Sequence, residues 1–114
     1  MKTIIAGSRN LTPNLSKIIQ ESGFNITEVV CGMARGVDIA GYLWAKQNNI
    51  PVKECPADWN TYGKSAGFLR NKAMADYADA LIAIWDGYSK GTKHMIDLAK
   101  EKKLKVFVYL DNTV

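Results

Sequence analysis

Apolar residues in this chain fall into short continuous runs, separated by stretches in which they recur every three or four positions. Thr3 to Ala6 is the first run, and it stops at Gly7-Ser8-Arg9-Asn10. Ile26 to Cys31, Val52 to Cys55, Ala80 to Trp85 and Val106 to Leu110 follow. Runs of four to six residues flanked by glycine or proline read as strands. Between them Leu15, Ile18 and Ile19 keep helical spacing after Pro13, and Gly23 stops that helix. Val37, Ala40, Gly41, Trp44 and Gln47 mark one side of a second helix, which Asn48-Asn49 ends before Pro51. A third helix carries Arg70, Asn71 and Met74. A fourth, about Lys93 to Lys102, buries Met95, Ile96 and Ala99. Five strands alternating with four helices predict an α/β domain over residues 1–114, a parallel sheet with helices on both faces. Lys53 and Glu54 interrupt the third strand, which suits an edge, whereas the unbroken fourth strand belongs at the centre.

In such sheets ligands sit beyond the carboxyl ends of the strands, where the strand order reverses. With the expected order 3-2-1-4-5, the reversal brings Gly7-Ser8-Arg9 beside Ser89-Lys90-Gly91-Thr92. The stretch from Gly63 to Thr92 reads as a glycine-flanked helix, a buried strand and a second small-residue loop opening another helix. Backbone amides at Ser65-Ala66-Gly67 and at Gly91-Thr92, with the helix dipole behind them, favour an anion. Two such helix starts around one strand point to a nucleotide-like ligand, although Gly, Ser and Thr also serve as ordinary turn and capping residues. Trp59 and Tyr62, in the loop Pro56 to Gly63, leave two readings open: the rings stack a base, or they pack beneath the loop.

Composition narrows the classes. A hydrophobic fraction of 47% with 23% charged residues is that of a soluble globular protein, and no run approaches a bilayer span. The start, Met1 to Gly7, is too short and interrupted for a signal peptide, so the expected location is cytoplasmic. Cys31 and Cys55, without metal or redox spacing, read as reduced core thiols. The net charge of +4 suits an anionic partner, yet Lys100, Lys102, Lys103 and Lys105 supply much of it at a solvated helix end. No stripe of basic residues interleaved with aromatics favours nucleic acid, which ranks last among the partners. No metal site and no cofactor are expected. Asp86 has at most the role of recruiting a magnesium ion carried in by a phosphate.

The ordered set Gly7-Ser8-Arg9, Gly32-Met33-Ala34-Arg35-Gly36-Val37-Asp38, Ala57-Asp58-Trp59 with Tyr62-Gly63, Ala66-Gly67 with Arg70-Asn71-Lys72-Ala73-Met74, and Ser89-Lys90-Gly91-Thr92 resembles the SLOG superfamily (DNA-processing protein and Lonely Guy related). Within it, the chain is similar to the small YspA/YpsA-related family over nearly its whole length. The resemblance implies a Rossmann-like three-layer fold that binds nucleotides or nucleotide-derived molecules, as in phage and bacterial defence. It implies that Gly32, Gly36, Gly67, Gly91 and Thr92 hold phosphate through backbone amides, with Gly7, Ser8, Arg9, Ala34, Trp59, Asn71 and Ser89 around the same ligand. By the same resemblance Arg70 pairs with the phosphate, and Asp38 or Asp58 takes ribose hydroxyls. For Asp38 a carboxylate stabilising its own helix start is the alternative.

One departure bears on catalysis. In the Lonely Guy phosphoribohydrolases a glutamate four residues after the glycine of the Gly-Thr pair works with the helix arginine to cleave an N-glycosidic bond. Met95 stands at that position here, and a thioether cannot accept a proton. The expected function is therefore to sense or sequester an ADP-ribose-like or cyclic nucleotide-derived molecule. The alternatives are an N-glycosidase that uses Asp38, Asp58 or His94, and a single-stranded DNA-binding protein. A homodimer or higher homo-oligomer through a helix like that of Trp44 is compatible with the pattern.

Overall fold

The computed structural model describes residues 1–111; the last three positions of the expected domain lie outside the described residues. Five strands, β1 (Lys2–Gly7), β2 (Glu28–Cys31), β3 (Val52–Glu54), β4 (Ala80–Trp85) and β5 (Lys105–Leu110), form one parallel sheet in the order β3-β2-β1-β4-β5. Thr3 pairs with Ala80 and Gly7 with Ile84, so β1 and β4 end level.

Alternation along the central strands divides the core in two. Ile4, Ala6, Leu81 and Ala83 face Met74, Ala75, Met95, Ile96 and Ala99, which come from α4 (Ala66–Tyr77) and α5 (Lys90–Glu101). Ile5, Ile82 and Ile84 face Leu15, Ile18 and Ile19 of α1 (Leu15–Ser22) and Val37 and Ala45 of α2 (Val37–Gln47). This is the expected three-layer, Rossmann-like α/β arrangement. The apolar spacing of α1 works with local caps: the Asn14 side chain accepts from the Lys17 amide, and Gly23 closes the helix in the left-handed conformation.

Several boundaries differ from the sequence reading: β2 starts at Glu28 rather than Ile26, β3 ends at Glu54 rather than Cys55, and β1 and β5 are each extended by a residue or two. The loop expected before α4 is already helical, as α3 (Trp59–Tyr62) and a 3₁₀ turn (Gly63–Ser65). Asp58 starts it by accepting from the Thr61 amide at 3.1 Å. The α4 start is consequently not a free helix end, because the Ala66 amide donates to the Gly63 carbonyl. Finally α5 begins at Lys90, three residues early, which puts Gly91 and Thr92 inside its first turn. On α2 the fully buried positions are Val37, Asp38, Gly41 and Ala45, with Ala40 and Trp44 only partly covered and Gln47 exposed. Among the described residues no helix is long and apolar enough to cross a membrane.

Candidate functional site

Where the strand order reverses, between β1 and β4, a cleft of about 310 Å³ opens beyond the strand ends. Its edge is built by a chain of hydrogen bonds that begins at Ser8, directly after β1. The Ser8 amide donates to the Ile84 carbonyl at 3.1 Å, its carbonyl accepts from the Val37 amide at 3.4 Å, and its hydroxyl accepts from the Asp86 amide at 3.1 Å. Asp86 in turn accepts from the Tyr88 and Ser89 amides, both at 2.8 Å, and from the Ser89 hydroxyl at 2.9 Å. The Ser89 and Tyr88 amides hold the Asp86 carboxyl down at about 2. That carboxylate shapes the loop through these three hydrogen bonds. With the Ser89 side chain turned to Asp86, the first turn of α5 has no side-chain cap. Its leading amides therefore face the cleft lined by Ser89, Gly91 and Thr92.

Three arginines, Arg9, Arg35 and Arg70, line the same cleft. The side chains of Arg9 and Arg35 make no hydrogen bond or salt bridge among the described residues. Arg70 is anchored at two points: Nε donates to Asn71 Oδ1 at 2.9 Å and Nη1 to the Gly32 carbonyl at 2.5 Å. Its Nη2 makes no hydrogen bond among the described residues. Asp38, only 5% exposed, accepts from the Ala34 amide at 3.4 Å. Burial pushes its carboxyl up to about 6, against the pull of Arg70 and of the Ala34 and Gly7 amides. Beneath it, the Cys31 thiol donates to the Asp38 carbonyl at 2.9 Å, and burial raises that thiol to about 11, which makes it inert at neutral pH.

The glycines here serve the protein's own packing as much as any ligand. A β-carbon at Gly32 would lie 2.5 Å from Arg70 Nη1 and 2.8 Å from Asp38 Oδ2. At Gly36, whose φ is +80°, one would lie 2.5 Å from the Arg9 carbonyl oxygen. Glycine at these two positions is what lets the Arg70 side chain and the Arg9 backbone approach.

Asn71, buried on α4, ties Arg70 to α5. With Oδ1 committed to Arg70, its NH₂ group faces the Gly91 carbonyl at 3.4 Å and His94 Nδ1 at 3.2 Å. His94 Nδ1 therefore accepts, the ring proton sits on Nε2, and burial holds the ring's pKa below its ordinary value. Phe68 stands edge-on to the His94 ring, 4.5 Å between centroids.

A second cleft of about 310 Å³ lies on the β3 side and shares Arg9, Ala34, Arg35 and Arg70 with the first; Gly32 and Trp59 belong to it. Of the residues expected at the ligand, the first cleft thus gathers Gly7, Ser8, Arg9, Ala34, Asp38, Arg70, Asn71, Ser89, Gly91 and Thr92. Gly36, Asp58 and Gly67 line neither cleft. Gly36 supports Arg9, Asp58 caps α3, and Gly67 lies in the α4 first turn beneath Trp59, where a β-carbon would sit 3.6 Å from the indole. Arg35, which lines both clefts, is not among the residues expected at the ligand from the sequence. Its place between glycine-turn residues just before a helix was the available signal. Met95, 1% exposed, lines the first cleft with Met74, so this part of the cleft wall is apolar. Among the described residues no group of three or more His, Cys, Asp or Glu is placed to hold a metal ion.

Comparison with known proteins gives the family. The model of the YspA, cpYpsA-related SLOG family matches residues 1–62, the half that carries Arg9, Arg35, Asp38 and Trp59. The Gene 61 protein of Mycobacterium phage D29 is 37% identical over 89 residues, spanning 73% of this chain and 71% of the phage protein. No solved structure matches. The chain belongs to the YspA/cpYpsA-related SLOG family.

Proposed function

We propose that this SLOG-family chain binds a small nucleotide-derived anion, ADP-ribose-like or cyclic, in the cytoplasm, and senses or sequesters it without turnover. The observation that carries this is the convergence of Arg9, Arg35 and Arg70 on one cleft beside the uncapped first turn of α5. Two of the three cations lack a partner among the described residues, and the third keeps a free nitrogen. A planar fork aimed at a phosphate is a strong and directional contact. Family membership supports a nucleotide-related role, and a similar protein in a phage is in keeping with a part in the conflict between phage and host. Met95 argues against turnover, since the position offers neither base nor charge.

The test is to purify the protein gently, denature it, and identify released small molecules by mass spectrometry, then titrate refolded protein with a nucleotide panel including ADP-ribose. Stoichiometric binding with the ligand intact supports the reading. Arg70→Ala removes one charge-assisted contact, about 1.5–3 kcal/mol, and should weaken binding roughly 10- to 150-fold. Unchanged affinity in that variant overturns it. A second reading rests on Asp38, a cleft carboxyl raised to about 6 beside Arg70, which is a suitable acid for N-glycosidic cleavage. That reading requires free base to accumulate beyond one equivalent per chain.

A further inference from the structure

The second cleft shares Arg9, Arg35 and Arg70 with the first but includes no residue of α5, and the rest of its lining is of a different kind. It opens on the far side of the same arginines, and Trp59 forms part of its lining with Pro56 and Ala57. Trp59 is 52% exposed although it is among the largest apolar side chains in the molecule. The exposure is built in. Asp58 caps the single turn that presents Trp59, and the indole edge rests against α4 at Gly67, 3.6 Å from where a β-carbon would be, an ordinary packing contact. An indole held at its edge, beside guanidinium groups, offers the rest of its ring to a flat partner.

We propose that the second cleft is a stacking subsite for the planar ring of the ligand, with Trp59 as its platform. The ligand then runs from its phosphate at the first turn of α5, past the arginines, to a base on the β3 side. This rests on the anion-binding reading above and adds to it the position and chemistry of the other half of the ligand. Stacking on one indole discriminates weakly between bases, since every base has a π face. Trp59 therefore separates base-bearing phosphates from bare sugar phosphates rather than one base from another.

The experiment titrates the wild-type chain, Trp59→Ala and Trp59→Phe with AMP, GMP, CMP, UMP and ribose 5-phosphate, using calorimetry and the quenching of indole fluorescence. Circular dichroism checks that each variant is folded. For the wild type, the nucleotides should bind at least tenfold more tightly than ribose 5-phosphate. Trp59→Ala should lose about tenfold or more for all four while ribose 5-phosphate is unchanged, and Trp59→Phe should recover most of the loss. Nucleotide quenching should be larger than ribose 5-phosphate quenching in the wild type and the excess should shrink in Trp59→Phe, because neither Trp44 nor Trp85 lines the second cleft, Trp85 lying by Ser89 of the first. If nucleotides and ribose 5-phosphate bind the wild type equally, or Trp59→Ala leaves nucleotide affinity unchanged, the subsite is refuted while the anion site stands. If none of the five phosphates binds the wild type, the anion site falls and the subsite with it. Should Trp59→Ala not fold, the ratio of nucleotide to ribose 5-phosphate affinity in the wild type and Trp59→Phe decides alone: a ratio near one refutes the subsite.

Discussion

Replacing Asp38 with Asn tests the electrostatics on which the first cleft depends. The carboxyl ordinarily titrates at 3.8 and does so at about 6 in the folded chain, mainly because burial disfavours the charged form. A folded-state value raised above the unfolded one means that the associated stability is fully present below 3.8 and is lost as pH rises through about 6. At about 1.36 kcal/mol per pH unit, the gap corresponds to about 3 kcal/mol. The loss accrues between roughly pH 4 and pH 6 and levels off by about pH 7. His94 acts in the opposite sense, because its lowered value makes the fold lose stability as pH falls through 6.5. The difference between Asp38→Asn and wild type cancels that contribution. The side-chain amide of the variant keeps one oxygen for the Ala34 or Gly7 amide, while its NH₂ group is poorly met, a constant cost of about 1 kcal/mol. Urea unfolding followed by circular dichroism at half-unit steps from pH 4 to pH 8 should therefore show the variant gaining on wild type by about 2.5 kcal/mol, the part of the total that accrues above pH 4, slightly less stable at pH 4 and more stable at pH 7. A difference that stays flat with pH, or falls, refutes the assignment of a buried, only partly compensated carboxylate to this cleft.

Three other outcomes are expected. Gly36→Ala, which puts a β-carbon 2.5 Å from the Arg9 carbonyl oxygen at a φ of +80°, should destabilise the fold by roughly 2–4 kcal/mol in denaturant unfolding. Met95→Glu places a carboxylate where a thioether is 1% exposed, so its melting temperature should drop sharply at pH 7.5 and much less near pH 5, where the acid is neutral. In an NMR titration the His94 ring should show its midpoint below 6.5 and the Nε2–H tautomer at neutral pH; a midpoint above 6.5 would contradict the burial and the Asn71 contact.

Much of the fold was legible because one-dimensional pattern and burial coincide in a parallel sheet. An unbroken run such as Ala80 to Trp85 has to be covered on both faces, and the charged Lys53 and Glu54 are tolerable only at an edge. The spacing of Leu15, Ile18 and Ile19, with Gly23 after them, marked α1 because the caps are local and close within a few residues. The clustering of Gly7-Ser8-Arg9 with Ser89, Gly91 and Thr92 followed from topology alone: parallel strands send the loops after β1 and β4 to the same edge.

What the sequence could not specify depends on which atoms arrive from elsewhere. Glycine at 32 and at 36 looks the same in the chain as glycine at 91, yet the first makes room for Arg70 and Asp38, the second for the Arg9 backbone, and the third opens onto free space in the first turn of α5. Asp58 and Asp38 are both carboxylates at helix starts. One is exposed and caps α3, whereas the other is sealed beneath the arginines with its pKa displaced. Local pattern thus determined the strands, the helices and the edge of the sheet where the loops meet. Tertiary packing alone decided which polar groups are desolvated, which are already satisfied, and which arginines remain free, because desolvation and hydrogen bonding are properties of a three-dimensional neighbourhood.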